Sequence, residues 1–142
     1  DGRLNGLIRS YFRDGQLATK GHYISGRKAG LWEKYNWWGT IQDEIRYLNG
    51  ERHGLTIEYY TPNVHSSENI PNDQVIPMDY IMRKTTFKNG KRHGPYEYYW
   101  FNGHVNIKGY YKEGEPEGAW ETYDDEGKLV KTETYEDGEL VK

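Results

Sequence analysis

The chain has 142 residues, enough for one domain with a core, and it is 35% hydrophobic and 29% charged, with 14 Tyr and 5 Trp against 3 Phe and 2 Met. A core drawn from that set must rely on amphipathic rings, and the absence of cysteine excludes disulfides, thiolate nucleophiles and thiolate metal sites. The net charge of −3 is uneven: residues 113–142 hold 11 acidic and 3 basic side chains, an excess that repels phosphate backbones and anionic lipid.

Glycines at Gly2, Gly26, Gly50, Gly90, Gly114 and Gly138 divide the chain at intervals of 24, 24, 40, 24 and 24 residues. A fixed period of this size marks a repeat architecture. Counted from each leading glycine as zero, a second glycine stands at plus four in every unit: Gly6, Gly30, Gly54, Gly94 and Gly118. Tyrosine holds plus nine as Tyr11, Tyr35, Tyr59, Tyr99 and Tyr123. Plus fifteen is aliphatic (Leu17, Ile41, Ile81, Val105, Leu129) and plus twenty-one aromatic (Tyr23, Tyr47, Phe87, Tyr111, Tyr135), once the third unit's 16 extra residues are allowed for. The residues divide into a single repeat domain, 1–142, with units 1–25, 26–49, 50–89, 90–113 and 114–137, and the start of a sixth at 138–142.

Each unit predicts two strands, from about plus five to plus eleven and from about plus fifteen to plus twenty-two. The turns between them are Asp14-Gly15, Trp38-Gly39, Asn102-Gly103 and Glu126-Gly127 within units, and Asn49-Gly50 and Asn89-Gly90 between units. Asn-Gly between apolar runs is a strong hairpin signal because both residues adopt positive φ at low cost. The expected fold is all-β: an elongated, single-layer antiparallel β-meander of about five 24-residue hairpin repeats, roughly ten strands in all. Strand parity puts plus five (Leu7, Leu31, Leu55, Pro95, Ala119) and plus nine on one face. With turns centred on the glycines, plus fifteen and plus twenty-one join them there, and that face is expected to be the core.

The opposite face then carries plus six: Ile8, Trp32, Thr56, Tyr96 and Trp120. Trp37, Trp38, Tyr98 and Trp100 lie near it, giving an aromatic stripe suited to a peptide, a glycan or a second copy of the chain. The third unit replaces a tight turn with an insert at about 63–79, containing His65 and Glu68; a long loop on a rigid scaffold commonly carries specificity. The candidate partner-binding residues are thus Trp32, Trp37, Trp38, Tyr96, Tyr98, Trp100, Trp120, His65 and Glu68.

Catalytic and cofactor chemistry finds no foothold. His65-Ser66-Ser67-Glu68 lacks the setting of a triad, and each glycine is already accounted for by a turn rather than by a phosphate loop. Asp124-Asp125-Glu126-Gly127 coincides with an ordinary turn and lacks calcium-ligand spacing. His53 and His93 hold equivalent places before the second glycine and are read as turn residues, not metal ligands. No enzyme activity, cofactor or metal is expected.

At Gly50-Glu51-Arg52-His53-Gly54 and Gly90-Lys91-Arg92-His93-Gly94 the sequence resembles the MORN repeat variant family, and the resemblance extends over the chain outside the insert. It implies an elongated antiparallel sheet acting in protein or membrane association, in bacterial proteins often labelled antitoxin components of toxin–antitoxin systems. A second resemblance, to aromatic, glycine-rich cell-wall-binding repeats, fits the constant double glycine and the period less well. The expected function is a non-enzymatic scaffold for a protein partner, with an antitoxin-like role as its specific form. The alternatives are a glycan or cell-surface module using the aromatic stripe, and a membrane-associated protein, which the acidic end disfavours. Nucleic acid is not expected, because no basic stripe accompanies the aromatics. Self-association through sheet edges or end repeats is a further expectation, and a cytoplasmic setting is favoured over a secreted or surface one.

Overall fold

A computed structural model describes residues 2–37, 39–60 and 80–142. Among these residues twelve strands form one antiparallel sheet: β1 (Gly6–Tyr11), β2 (Leu17–Ile24), β3 (Arg27–Tyr35), β4 (Ile41–Leu48), β5 (Glu51–Arg52), β6 (Gly54–Tyr59), β7 (Ile81–Lys88), β8 (Lys91–Tyr99), β9 (Val105–Lys112), β10 (Glu115–Tyr123), β11 (Leu129–Glu136) and β12 (Glu139–Leu140). The strands run through the sheet in chain order, β5 pairing with β4 beside β6. The sheet is the expected meander. The count exceeds ten because β5 and β6 are one unit's first strand broken at His53, and because residues 138–142 contribute the short β12.

Two kinds of turn alternate. Between units, both central residues have positive φ, as at Asn49 (52°) and Gly50 (85°), the type I′ geometry whose twist matches the flanking strands. Within units the turn is longer. The Gly15 N–H donates to the Phe12 carbonyl at 3.0 Å, and the Phe12 N–H to the Gln16 carbonyl at 2.8 Å, with Asn36, Trp100 and Asp124 repeating the pattern.

The register of every within-unit hairpin shifts beside its plus-nine tyrosine, in the third unit as in the four with this turn. Ser10 faces Thr19 but Tyr11 faces Leu17, and the same one-residue bulge recurs at Lys34/Tyr35, Glu58/Tyr59, Tyr98/Tyr99 and Thr122/Tyr123. This corrects the expected faces. Plus six pairs with plus nineteen (Trp32 with Ile45, Thr56 with Thr85), and plus twenty-one pairs with plus four, so the plus-twenty-one rings share the plus-six side. Trp32 accordingly packs edge-on against Tyr23 (5.1 Å) and Tyr47 (6.2 Å), and Trp120 against Tyr111 (4.9 Å) and Tyr135 (6.3 Å). We call this the indole face. Here lies the small core: Trp32 and Ile45 are buried, with Thr56 and Thr85 beside them. The face expected to be the core leaves Leu7 and Leu31 exposed.

The plus-nine tyrosines belong to that opposite face, where their hydroxyls donate to plus-seven carboxylates: Tyr35 to Glu33, Tyr99 to Glu97 and Tyr123 to Glu121. Tyr59 has Ile57 at that place and donates to Glu44 instead, at 2.7 Å.

Candidate functional site on the indole face

Close packing of successive units explains most of the aromatic stripe. Trp32 lies flat on Gly21, where a Cβ would fall 2.1 Å from the indole Cδ2, and Trp120 lies in the same way on Gly109, at 2.2 Å. Neither glycine has positive φ; what demands glycine there is the ring above it. The Trp32 Nε1–H donates to the His22 carbonyl at 3.0 Å. Trp100 sits at the turn edge, its Nε1–H donating to the Tyr123 carbonyl of the next unit at 3.0 Å. Tyr96 stands 5.5 Å from both Tyr111 and Trp120. These rings join units to one another.

Of the remaining stripe residues, Tyr98 pairs with Ile107 on the indole face, and with burial it helps push the Tyr60 phenol up to about 12. Trp37 is exposed at the second unit's turn. Trp38, His65, Glu68 and the insert at 63–79 lie outside the described residues. The insert's root is described: the Tyr60 N–H donates to the Tyr80 carbonyl at 2.8 Å, and both rings contact Phe101, at 5.5 and 5.3 Å.

Between the two tryptophan clusters the central row drops to Thr56 and Thr85, leaving a cup of about 200 Å³. Its walls are Phe87 and Tyr96, and its rim carries three guanidiniums and one carboxylate. Arg83 is held by Glu58 at 2.5 and 3.1 Å, and that carboxylate raises the pKa of the guanidinium above its ordinary value. Arg52 stands over the Phe87 ring at 5.3 Å. Arg92 stands over Tyr111 at 4.2 Å and donates to its hydroxyl at 3.0 Å. The Thr56 hydroxyl, at the floor, has no hydrogen-bond partner among the described residues.

Arg52 and Arg92 occupy plus two in successive units, and the preceding unit places Lys28 there, 4.7 Å over Trp32 and 5.1 Å over Tyr47. Each of these cations pairs across the ladder with a plus-twenty-one ring: Lys28 with Tyr23, Arg52 with Tyr47 and Arg92 with Phe87. Sequence reasoning passed over this row. Its signal was a basic residue recurring at plus two in three consecutive units, with the parity of plus six. Among the described residues on the indole face of units two to four, five cations (Lys28, Lys34, Arg52, Arg83, Arg92) meet two carboxylates, Asp43 and Glu58. A chain of net charge −3 thus presents one positive face. Asp43 registers its surroundings: burial and Glu58 raise its pKa, against Lys34, Arg52 and Arg83, which lower it.

His53 and His93 serve the turns. The Asn89 N–H donates to His53 Nδ1 at 3.2 Å and the Glu113 N–H to His93 Nδ1 at 3.1 Å, where the first unit uses Asn5 for Ser25 and the last Glu117 for Asp137. Among the described residues no group of three or more His, Asp or Glu is placed to hold a metal, and no helix is long and apolar enough to cross a membrane.

Comparison with protein families matches the MORN repeat variant at residues 4–25, 92–113 and 116–137. Comparison with curated proteins finds no match.

Proposed function

On the premise that this chain is built of MORN variant repeats, which serve generally as protein- or membrane-interaction modules, we propose that it is a non-enzymatic scaffold whose indole face binds a protein partner. The observation that supports this is the cation row of Lys28, Arg52 and Arg92, fixed over aromatic rings beside an open cup. Rings and guanidiniums together are the residue types that concentrate binding energy at protein interfaces. The carbohydrate reading is less well supported, because stacking on a sugar needs an open ring face, and Trp32 is buried while Trp120 lies against Gly109, Tyr111 and Tyr135.

The test is recovery of partners from the native host with three proteins: the unaltered chain, the charge reversal Arg52→Glu with Arg92→Glu, and Leu31→Asp on the opposite face. A specific partner retained by Leu31→Asp and lost on charge reversal supports the reading; the reverse pattern overturns it. The antitoxin form is narrower and rests on the family resemblance. Co-expression should then relieve growth arrest by the cognate toxin, and the charge-reversed chain should not.

A further inference from the structure

The positive row has a spacing as well as a charge. Lys28, Arg52 and Arg92 start the first strands of consecutive units, so neighbours in the row are two strands apart, roughly 9.6 Å at about 4.8 Å per strand. The row is bounded, since the same position holds Leu4 in the first unit and Pro116 in the fifth. A partner that reads it must present three anions at about that interval on one side.

Chain geometry separates the ways of doing so. A polyproline II segment rises about 3.1 Å per residue with three residues per turn, which returns side chains to one side every ~9.3 Å. A β-strand reaches about 10 Å in three residues but turns the third side chain to the far face. An α-helix needs seven residues, about 10.5 Å, so its error accumulates to nearly 2 Å across the row, against about 0.6 Å for polyproline II. The anion chemistry is visible within the molecule, where Glu58 forms a two-point pair with Arg83 while Arg52 and Arg92 face rings and carry no carboxylate pair among the described residues. The aromatic surface between the cations also suits proline rings.

Resting on the scaffold reading above, we propose that the indole face binds an extended acidic segment of its partner in polyproline II conformation. Carboxylates at every third residue meet Lys28, Arg52 and Arg92 in turn. The residues between them lie over Tyr47, the Thr56–Thr85 cup and Phe87.

Fluorescence anisotropy with a labelled, capped Glu-Pro-Pro triple repeat tests this directly. The comparison peptides are its Gln-Pro-Pro counterpart, a same-composition peptide with the glutamates adjacent, and a helical peptide with glutamates seven apart. The expected result is binding to the first that weakens steeply with salt. It should be at least tenfold tighter than to the others, and at least tenfold weaker with Arg52→Gln and Arg92→Gln. Both positions are exposed, so an unchanged melting temperature verifies the variant's fold. Equal binding of the adjacent-glutamate peptide, or preference for the helical one, overturns the proposal. So does a self-associated chain that the double variant renders monomeric, which would make a second copy's acidic C-terminal unit the occupant. If the native partner is lost on charge reversal while none of the peptides binds, the scaffold reading stands and this inference falls.

Discussion

The side chain that recurs most faithfully, the plus-nine tyrosine, is anchored in the second, fourth and fifth units by a carboxylate two residues before it. Burial, followed by the hydrogen bond to Glu33, pushes the Tyr35 phenol up to about 12, and burial with Tyr98 does the same for Tyr60. An unfolded tyrosine ionises near pH 10. Folding therefore favours the protonated phenols, and their contribution to stability is full below pH 10 and is lost as pH rises from 10 to 12. Melting temperatures should hold to about pH 10 and then fall, while the tyrosinate absorbance of Glu33→Gln should rise at lower pH than that of the unaltered chain. The histidines carry a second residue-level prediction. His93→Ala strips the Glu113 N–H of its acceptor and should cost about 1 kcal/mol in chemical denaturation. His93→Asn should cost less, because Asn5 accepts the equivalent bond in the first unit.

At the level of strands, small and large residues alternate across unit boundaries. Gly21 precedes Trp32 and Gly109 precedes Trp120, whereas Thr85 precedes Tyr96. Gly109→Ala drives a methyl into the Trp120 indole and should destabilise the fold by about 1–3 kcal/mol, measured by equilibrium unfolding. Alanine at an exposed strand position such as Leu31 should cost far less. The glycine period and the Asn-Gly turns made the hairpins and their order legible in the sequence, because a turn requirement falls on one or two adjacent residues. The faces were not legible. A one-residue bulge stands beside each plus-nine tyrosine, with the insert as with the four-residue turn, and a single slip reverses which side chains meet. Trp32 and Trp120 were read as candidate partner-binding residues, and the structure spends their rings on packing between units. The plus-two cations, which parity could have placed beside them, emerged only once the ladder was known.

Across the whole molecule no large side chain among the described residues is fully buried, so stability is shared among successive unit contacts rather than gathered in one core. Native-state hydrogen exchange should consequently be slowest in β3, β4, β6 and β7, around Trp32, Ile45, Thr56 and Thr85. It should be fastest in β1, where all residues but Ile8 are exposed. The seam between units is tied through the main chain: the N–H groups of Gly26, Gly50, Gly90 and Gly114 donate to the carbonyls of Leu4, Lys28, Arg52 and Arg92, at 2.7–2.9 Å. The position that carries the cation row thus holds the array together with its backbone and leaves its side chain free to differ from unit to unit. Each unit in effect has one letter that can be rewritten without disturbing the spine. Writing Leu4→Arg should lengthen the readable message by one unit, favouring a peptide three residues longer at unchanged stability.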